Sequence, residues 1–105
     1  MSAPIVQIDT EHGHMHVVIA GEIDLDTAPE VEAKLRTAIR AETSAVTFDL
    51  SGVTYIDSIG MRVLFHLAAK LEGQHVPLAI RADPGTIARR VIELSGLSAV
   101  ASLKP

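Results

Sequence analysis

The chain has 105 residues, 48% hydrophobic and 21% charged, a balance that fits one compact domain over residues 1–105 and excludes a disordered polar chain. A domain of this size buries very roughly 65% of its unfolded-chain surface, so a core forms without covalent staples. Three aromatics (Phe48, Tyr55, Phe65) are too few for a base-stacking platform, and a net charge of −4 opposes nucleic-acid phosphates.

Ile5-Val6-Gln7-Ile8 and Met15-His16-Val17-Val18-Ile19-Ala20 have the length and β-branched content of strands. Thr10–His14 joins them with Gly13 supplying the turn, so the chain opens on a hairpin. Asp26-Thr27-Ala28-Pro29-Glu30 then predicts a helix start. Thr27 is the expected N-cap, Pro29 falls in the first turn, and Glu30 completes a capping box. Val31, Leu35, Ala38 and Ile39 follow at helical spacing, opposite Glu32, Lys34, Arg36 and Arg40.

Ala45–Leu50 is an apolar run of strand length, and Ser51–Asp57 is expected as a loop. A second helix is predicted from about Ser58 to Glu72, closed by Gly73 as its C-cap. Val76–Ile80 reads as a strand, with Pro77 near its start. Asp83-Pro84-Gly85-Thr86 opens a third helix, Ile87–Leu94, stopped by Ser95-Gly96, and Ala99–Leu103 is expected as a last short strand. A hairpin followed by helix–strand alternation argues for an α/β fold: an open mixed sheet, largely parallel, covered by helices on right-handed crossovers.

Charge is unevenly spread. Seven acids and no Lys or Arg occur from Met1 to Ala33, and all nine bases follow. The N-terminal third is thus either a solvated acidic face or a patch that meets a basic protein surface. There is no cysteine, which removes disulfides, thiolate metal sites and cysteine catalysis and fits a reducing compartment. No apolar run approaches the roughly 18 residues of a membrane span, and the N-terminus lacks the basic-then-apolar order of a signal peptide. The expectation is a cytoplasmic module with no membrane insertion and no nucleic-acid partner.

In open α/β sheets functional groups gather outside the carboxyl ends of strands. There lies Asp49-Leu50-Ser51-Gly52-Val53-Thr54-Tyr55-Ile56-Asp57-Ser58-Ile59-Gly60-Met61-Arg62, running from a strand into the start of the second helix. Ser58 falls at or beside the N-cap. One reading is that Asp57 or Ser58 only caps the helix. The other is a phosphorylation switch: a phosphate on Ser58 would be held by the free N–H groups and macrodipole. It would also add about −1.5 to −2 charge beside Asp57.

On the helical wheel Gly60, Leu64, Leu67 and Leu71 form one stripe, and Arg62, His66, Ala69 and Lys70 lie opposite. Gly60 in the apolar stripe implies close approach of helix to sheet. Ile59 projects among the polar residues; Met61 and Phe65 flank the stripe and either extend the core or offer a docking patch.

This segment resembles the STAS family, specifically the bacterial anti-sigma factor antagonists. Asp49 to Ser58 matches the family's Asp-Leu-Ser-x-Val-x-x-Ile-Asp-Ser pattern, and Gly21-Glu22-Ile23-Asp24 adds a weaker match. The resemblance covers essentially the whole chain, less closely at the tail. It implies a four- or five-stranded sheet with helices, no intrinsic catalysis and no cofactor. It further implies that Ser58 is phosphorylated by an anti-sigma factor serine kinase. The unphosphorylated form would bind that kinase and free the sigma factor, and a PP2C-type phosphatase would reset it.

Asp24 matches a family position at the same surface, so Asp24, Asp57, Ile59, Gly60, Met61 and Arg62 are the expected partner-binding residues. Asp57 also shapes the helix start. The family usually has Ser or Thr where Ile59 stands, which removes a second phosphoacceptor. A related STAS role is the alternative: accessory subunit of a lipid-transport ABC complex.

Other signals carry less. His12, His14 and His16 would share a face of an extended strand, but Gly13 breaks the alternation, favouring a solvated turn over a metal site. Ser58 has no Gly-x-Ser-x-Gly elbow, His66 is two turns along its own helix, and no Walker or dinucleotide fingerprint occurs. Arg62, Arg81, Arg89 and Arg90 read as scattered surface arginines rather than a phosphate-binding patch.

Overall fold

The computed structural model describes residues 4–97 and 101–104. Eight elements follow one another: β1 (Ile5–Glu11), β2 (His14–Ile23), α1 (Ala28–Ala38), β3 (Ala45–Ile56), α2 (Ser58–Gly73), β4 (Leu78–Arg81), α3 (Ile87–Ser95) and β5 (Ser102–Lys104). The sheet order is β1-β2-β3-β4-β5, with β1 antiparallel to β2 and every later pair parallel. This is the expected mixed α/β sheet, with five strands.

The hairpin turn is tighter than expected. Thr10 and Glu11 already pair with Met15 and His14, leaving only His12 and Gly13 between the strands. Their φ angles of 52° and 83° are both positive, the arrangement whose twist matches paired antiparallel strands. An added Cβ on Gly13 would also lie 2.8 Å from Ser44 Oγ, so Gly suits the position twice over.

The three parallel crossovers all step in the same direction across the sheet, and right-handedness therefore places α1, α2 and α3 on one face. On that face Met15, Val17 and Ile19 of β2, Val46, Phe48 and Leu50 of β3, and Leu78 and Ile80 of β4 are buried. Val31 and Leu35 of α1, with Leu64, Leu67 and Leu71 of α2, close over them. Full burial of each large aliphatic contributes about 1.5–3 kcal/mol. The opposite face is not covered: His16, Val18 and Arg81 are exposed, and His14, Thr47, Asp49 and Ala79 are half-buried. The helices thus clad one side of the sheet only.

Three local expectations are corrected. Ser51–Ile56 is not a loop but the second half of β3, paired with β2 through Ala20↔Gly52 and Ile23↔Ile56. A register shift lies between Val18 and Ala20, and there the Ser51 N–H donates to Asp49 Oδ1 (3.0 Å). Thr27 sits at the N-cap of α1 without capping it: its hydroxyl turns back to the Glu22 carbonyl (2.9 Å). Gly73 is the last residue of α2 rather than a left-handed cap; Gln74 ends the helix at φ −96° and His75 takes the positive φ, 58°.

The start of the expected last strand, Ala99 and Val100, lies outside the described residues; Ser102–Lys104 forms β5. The strand expected over Val76–Ile80 runs instead from Leu78 to Arg81, whereas the signals around α3 hold. Thr86 Oγ1 accepts from the Arg89 N–H (3.2 Å), and Gly96 ends α3 at φ 84°.

Candidate functional site

The ladder Ile23↔Ile56 brings the carboxyl ends of β2 and β3 side by side. The turn leaving β2 and the helix leaving β3 therefore start next to each other. The Asp57 N–H donates to the Ile23 carbonyl (3.2 Å), extending the contact one residue past the sheet.

Asp57 is the N-cap of α2, in extended conformation at φ −100°, ψ −174°. Its two carboxylate oxygens do different things. Oδ1 accepts from the Gly60 N–H (2.9 Å) and satisfies one of the unpaired amides at the helix start. Oδ2 accepts from the Leu25 N–H (3.0 Å), tying the turn after β2 to the head of α2. Ser58 is then the first helical residue and is exposed. No acid stands in the first turn of α2 beyond the cap. The positive end of the macrodipole is thus offset only by Asp57.

Asp24 is half-buried and organises the turn itself. Its Oδ1 accepts from the N–H groups of Asp26 (3.0 Å) and Thr27 (3.1 Å) and lies 3.1 Å from Thr27 Oγ1, while the Asp24 N–H donates to Thr27 Oγ1 (2.9 Å). Thr27, expected as a cap, is consumed here. Glu22 is half-buried and Asp26 exposed, so three carboxylates belong to a strand end and turn that Asp57 ties to the head of α2.

The remaining expected docking residues divide. Arg62 is exposed. Ile59 and Met61 are half-buried and pack against the core, as does Phe65, so they offer a partner less surface than their wheel positions suggest. Gly60 is buried and cannot touch a partner. An added Cβ there would lie 2.6 Å from the Ile23 carbonyl oxygen and 2.9 Å from Ile56 Cγ1. Its role is to let α2 seat on the ends of β2 and β3, the close approach that its stripe position predicts.

At the carboxyl ends of β2 and β3, two exposed apolar residues escape the sequence reading: Leu25 at 65% and Tyr55 at 50%. Neither belongs to a periodic pattern. The available signal is a leucine set between Asp24 and Asp26, where no buried face exists to claim it.

The histidines separate. His12 is in the hairpin turn, while His14 and His16 stack with ring centroids 4.1 Å apart, and His14 Nε2 lies 2.9 Å from Thr47 Oγ1. No cluster of three or more His, Cys, Asp or Glu suited to a metal occurs among the described residues. His66 Nδ1 lies 4.0 Å from Glu32 Oε2 of α1 rather than beside Ser58. The arginines are distributed over α2, β4 and α3, and Arg89 reaches Glu93 (3.5 Å) and the Ala82 carbonyl (3.2 Å). No helix among the described residues is long and apolar enough to cross a membrane.

This arrangement can present a hydroxyl, a helix N-terminus and an acidic turn on one surface. The family described as "Mlab, STAS domain" matches residues 6–103, and the chain belongs to the STAS domain family. It is 35% identical over 100 residues to the anti-sigma-F factor antagonist RsfB of Mycobacterium tuberculosis, covering 92% of this chain and 80% of that protein. It is 31% identical over 104 residues to the anti-sigma-B factor antagonist of Listeria monocytogenes, covering 99% and 89% of the two chains. The crystal structure of an anti-sigma factor antagonist from Mycobacterium paratuberculosis superimposes with a TM-score of 0.85 at 28% identity, over 98% of this chain and 86% of the other.

Proposed function

We propose that the chain is an anti-sigma factor antagonist that works by partner switching at Ser58. The observation carrying this reading is the position of Ser58: exposed, first in α2, and directly after a cap that also pins the acidic turn. The names of its relatives support the same class. Unphosphorylated, the surface around Ser58 docks on an anti-sigma factor that is itself a serine kinase, displacing the sigma factor.

The kinase transfers the γ-phosphoryl group of ATP to Ser58 Oγ, releasing ADP, and the hydroxyl proton passes to a base on the kinase. The product carries about −1.5 to −2 extra charge. That charge stands next to Asp57, whose carboxylate bonds the turn that follows Glu22 and carries Asp24 and Asp26, and it fills space a close-packed partner needs. Binding is lost, and a PP2C-type phosphatase restores it by hydrolysis. Asp24 and Asp57 build the surface, while Arg62, with the exposed parts of Ile59 and Met61, completes it. The cytoplasm is the compartment in which such partners meet.

The test is incubation with purified anti-sigma factor kinases from the same genome and Mg-ATP, followed by mass-spectrometric site mapping. One phosphate on Ser58, and none on the Ser58→Ala variant, is expected. Phosphate on another residue, or none from any such kinase, contradicts the switch and favours the lipid-transport role.

A further inference from the structure

We propose that Leu25 is the apolar anchor of this docking surface and that its receptor on the anti-sigma factor is an apolar pocket rimmed by Lys or Arg. The inference rests on the partner-switching reading and adds the chemistry of the partner's side.

Three observations carry it. Leu25 is 65% exposed; among the described residues Ile5, Ile87 and Leu94 are exposed to a similar degree, but Leu25 alone of these four is bonded to the cap of α2 beside Ser58. Its backbone is nonetheless held tightly. The Leu25 N–H donates to Asp57 Oδ2, and Asp24 Oδ1 accepts the N–H groups of Asp26 and Thr27 immediately beyond it. The Thr27 hydroxyl locks the same turn onto the Glu22 carbonyl. A side chain displayed on so constrained a turn gives up little conformational freedom when it enters a pocket, which is the condition for a strong anchor.

The third observation is charge. Glu22, Asp24 and Asp26 border Leu25, Asp57 is bonded to it, and no Lys or Arg occurs before Lys34. A pocket for Leu25 therefore meets four carboxylates at its rim, and only a basic rim is complementary. The bond from Leu25 to Asp57 also places the anchor one residue from Ser58, so one docking event positions the hydroxyl as it fills the pocket.

The experiment uses the full chain and the kinase that phosphorylates Ser58, with binding measured by surface plasmon resonance at low and high salt. Leu25→Ser is expected to raise Kd by about tenfold or more, and Leu25→Met to stay within roughly threefold of wild type. Both variants should melt close to wild type, because Leu25 is 65% exposed and belongs to no buried cluster. Association of the wild type should slow as salt is raised. Wild-type affinity in Leu25→Ser, or salt-independent association, overturns the inference while leaving phosphorylation of Ser58 in place. Failure of every such kinase to bind the wild type removes the switch and the anchor together, so the two failures are distinguishable.

Discussion

Replacing Gly60 by valine is expected to destabilise the chain by about 3 kcal/mol or more, lowering Tm by roughly 10–20 °C. The first carbon added at Gly60 would stand 2.6 Å from the Ile23 carbonyl oxygen and 3.0 Å from Ile23 Cγ2. Neither the backbone of β2 nor a fully buried isoleucine can yield cheaply. Even Gly60→Ala, which gains helix propensity of up to about 1 kcal/mol, is expected to lose more than that to the clash.

Gly73, at the other end of the same helix, is the control. An added Cβ there meets nothing within 4 Å and the residue has helical rather than left-handed backbone, so Gly73→Ala should be neutral or stabilising by about 0.5–1 kcal/mol. Thermal melts of the three variants check both statements. Equal effects at positions 60 and 73 would contradict this account of how α2 seats on the sheet.

Asp57→Ala is expected to cost about 2–3 kcal/mol, because one side chain makes two bonds to backbone amides of different elements. Loss of the cap to the Gly60 N–H alone is worth about 0.5–2 kcal/mol, and release of the Leu25 N–H adds a second charge-assisted bond of similar size. Asp57→Asn keeps one acceptor and should fall between the two. Hydrogen exchange discriminates a cap from a clamp. The variant with alanine should lose protection at Gly60 and at Leu25 together, whereas an ordinary N-cap would affect Gly60 alone.

The same residues show why some features were readable in advance and others were not. The apolar stripe of α2 is legible because Gly60, Leu64, Leu67 and Leu71 recur at helical spacing and all are buried. The place of Asp57 and Ser58 at the helix start is legible because capping is a local preference. The second half of β3 is hidden because Ser51, Gly52 and Thr54 are turn-forming residues by composition. They extend because β2 offers a parallel ladder and because Asp49 and Ser51 satisfy the amides of Ser51 and Asp83.

The capping box at Thr27 fails for a related reason. Asp24, three residues earlier, reaches the Thr27 amide first, and the Thr27 hydroxyl is left to bond the strand end. Local rules name candidates for a bond; the neighbouring strand decides which one makes it. Exposure is the least legible property: Tyr55 looks in sequence like a residue any core would take, and only the flanking Asp24 and Asp26 mark Leu25 as exposed.

The role of Ser58 as a switch is tested most directly by the affinity of the anti-sigma factor kinase for three forms of the chain, measured by calorimetry. Wild type and Ser58→Ala should bind alike, because the hydroxyl adds little to docking. Ser58→Asp, with its added charge beside Asp57 on the docking surface, should bind about tenfold or more weakly. Equal affinity for Ser58→Asp and wild type would contradict the account.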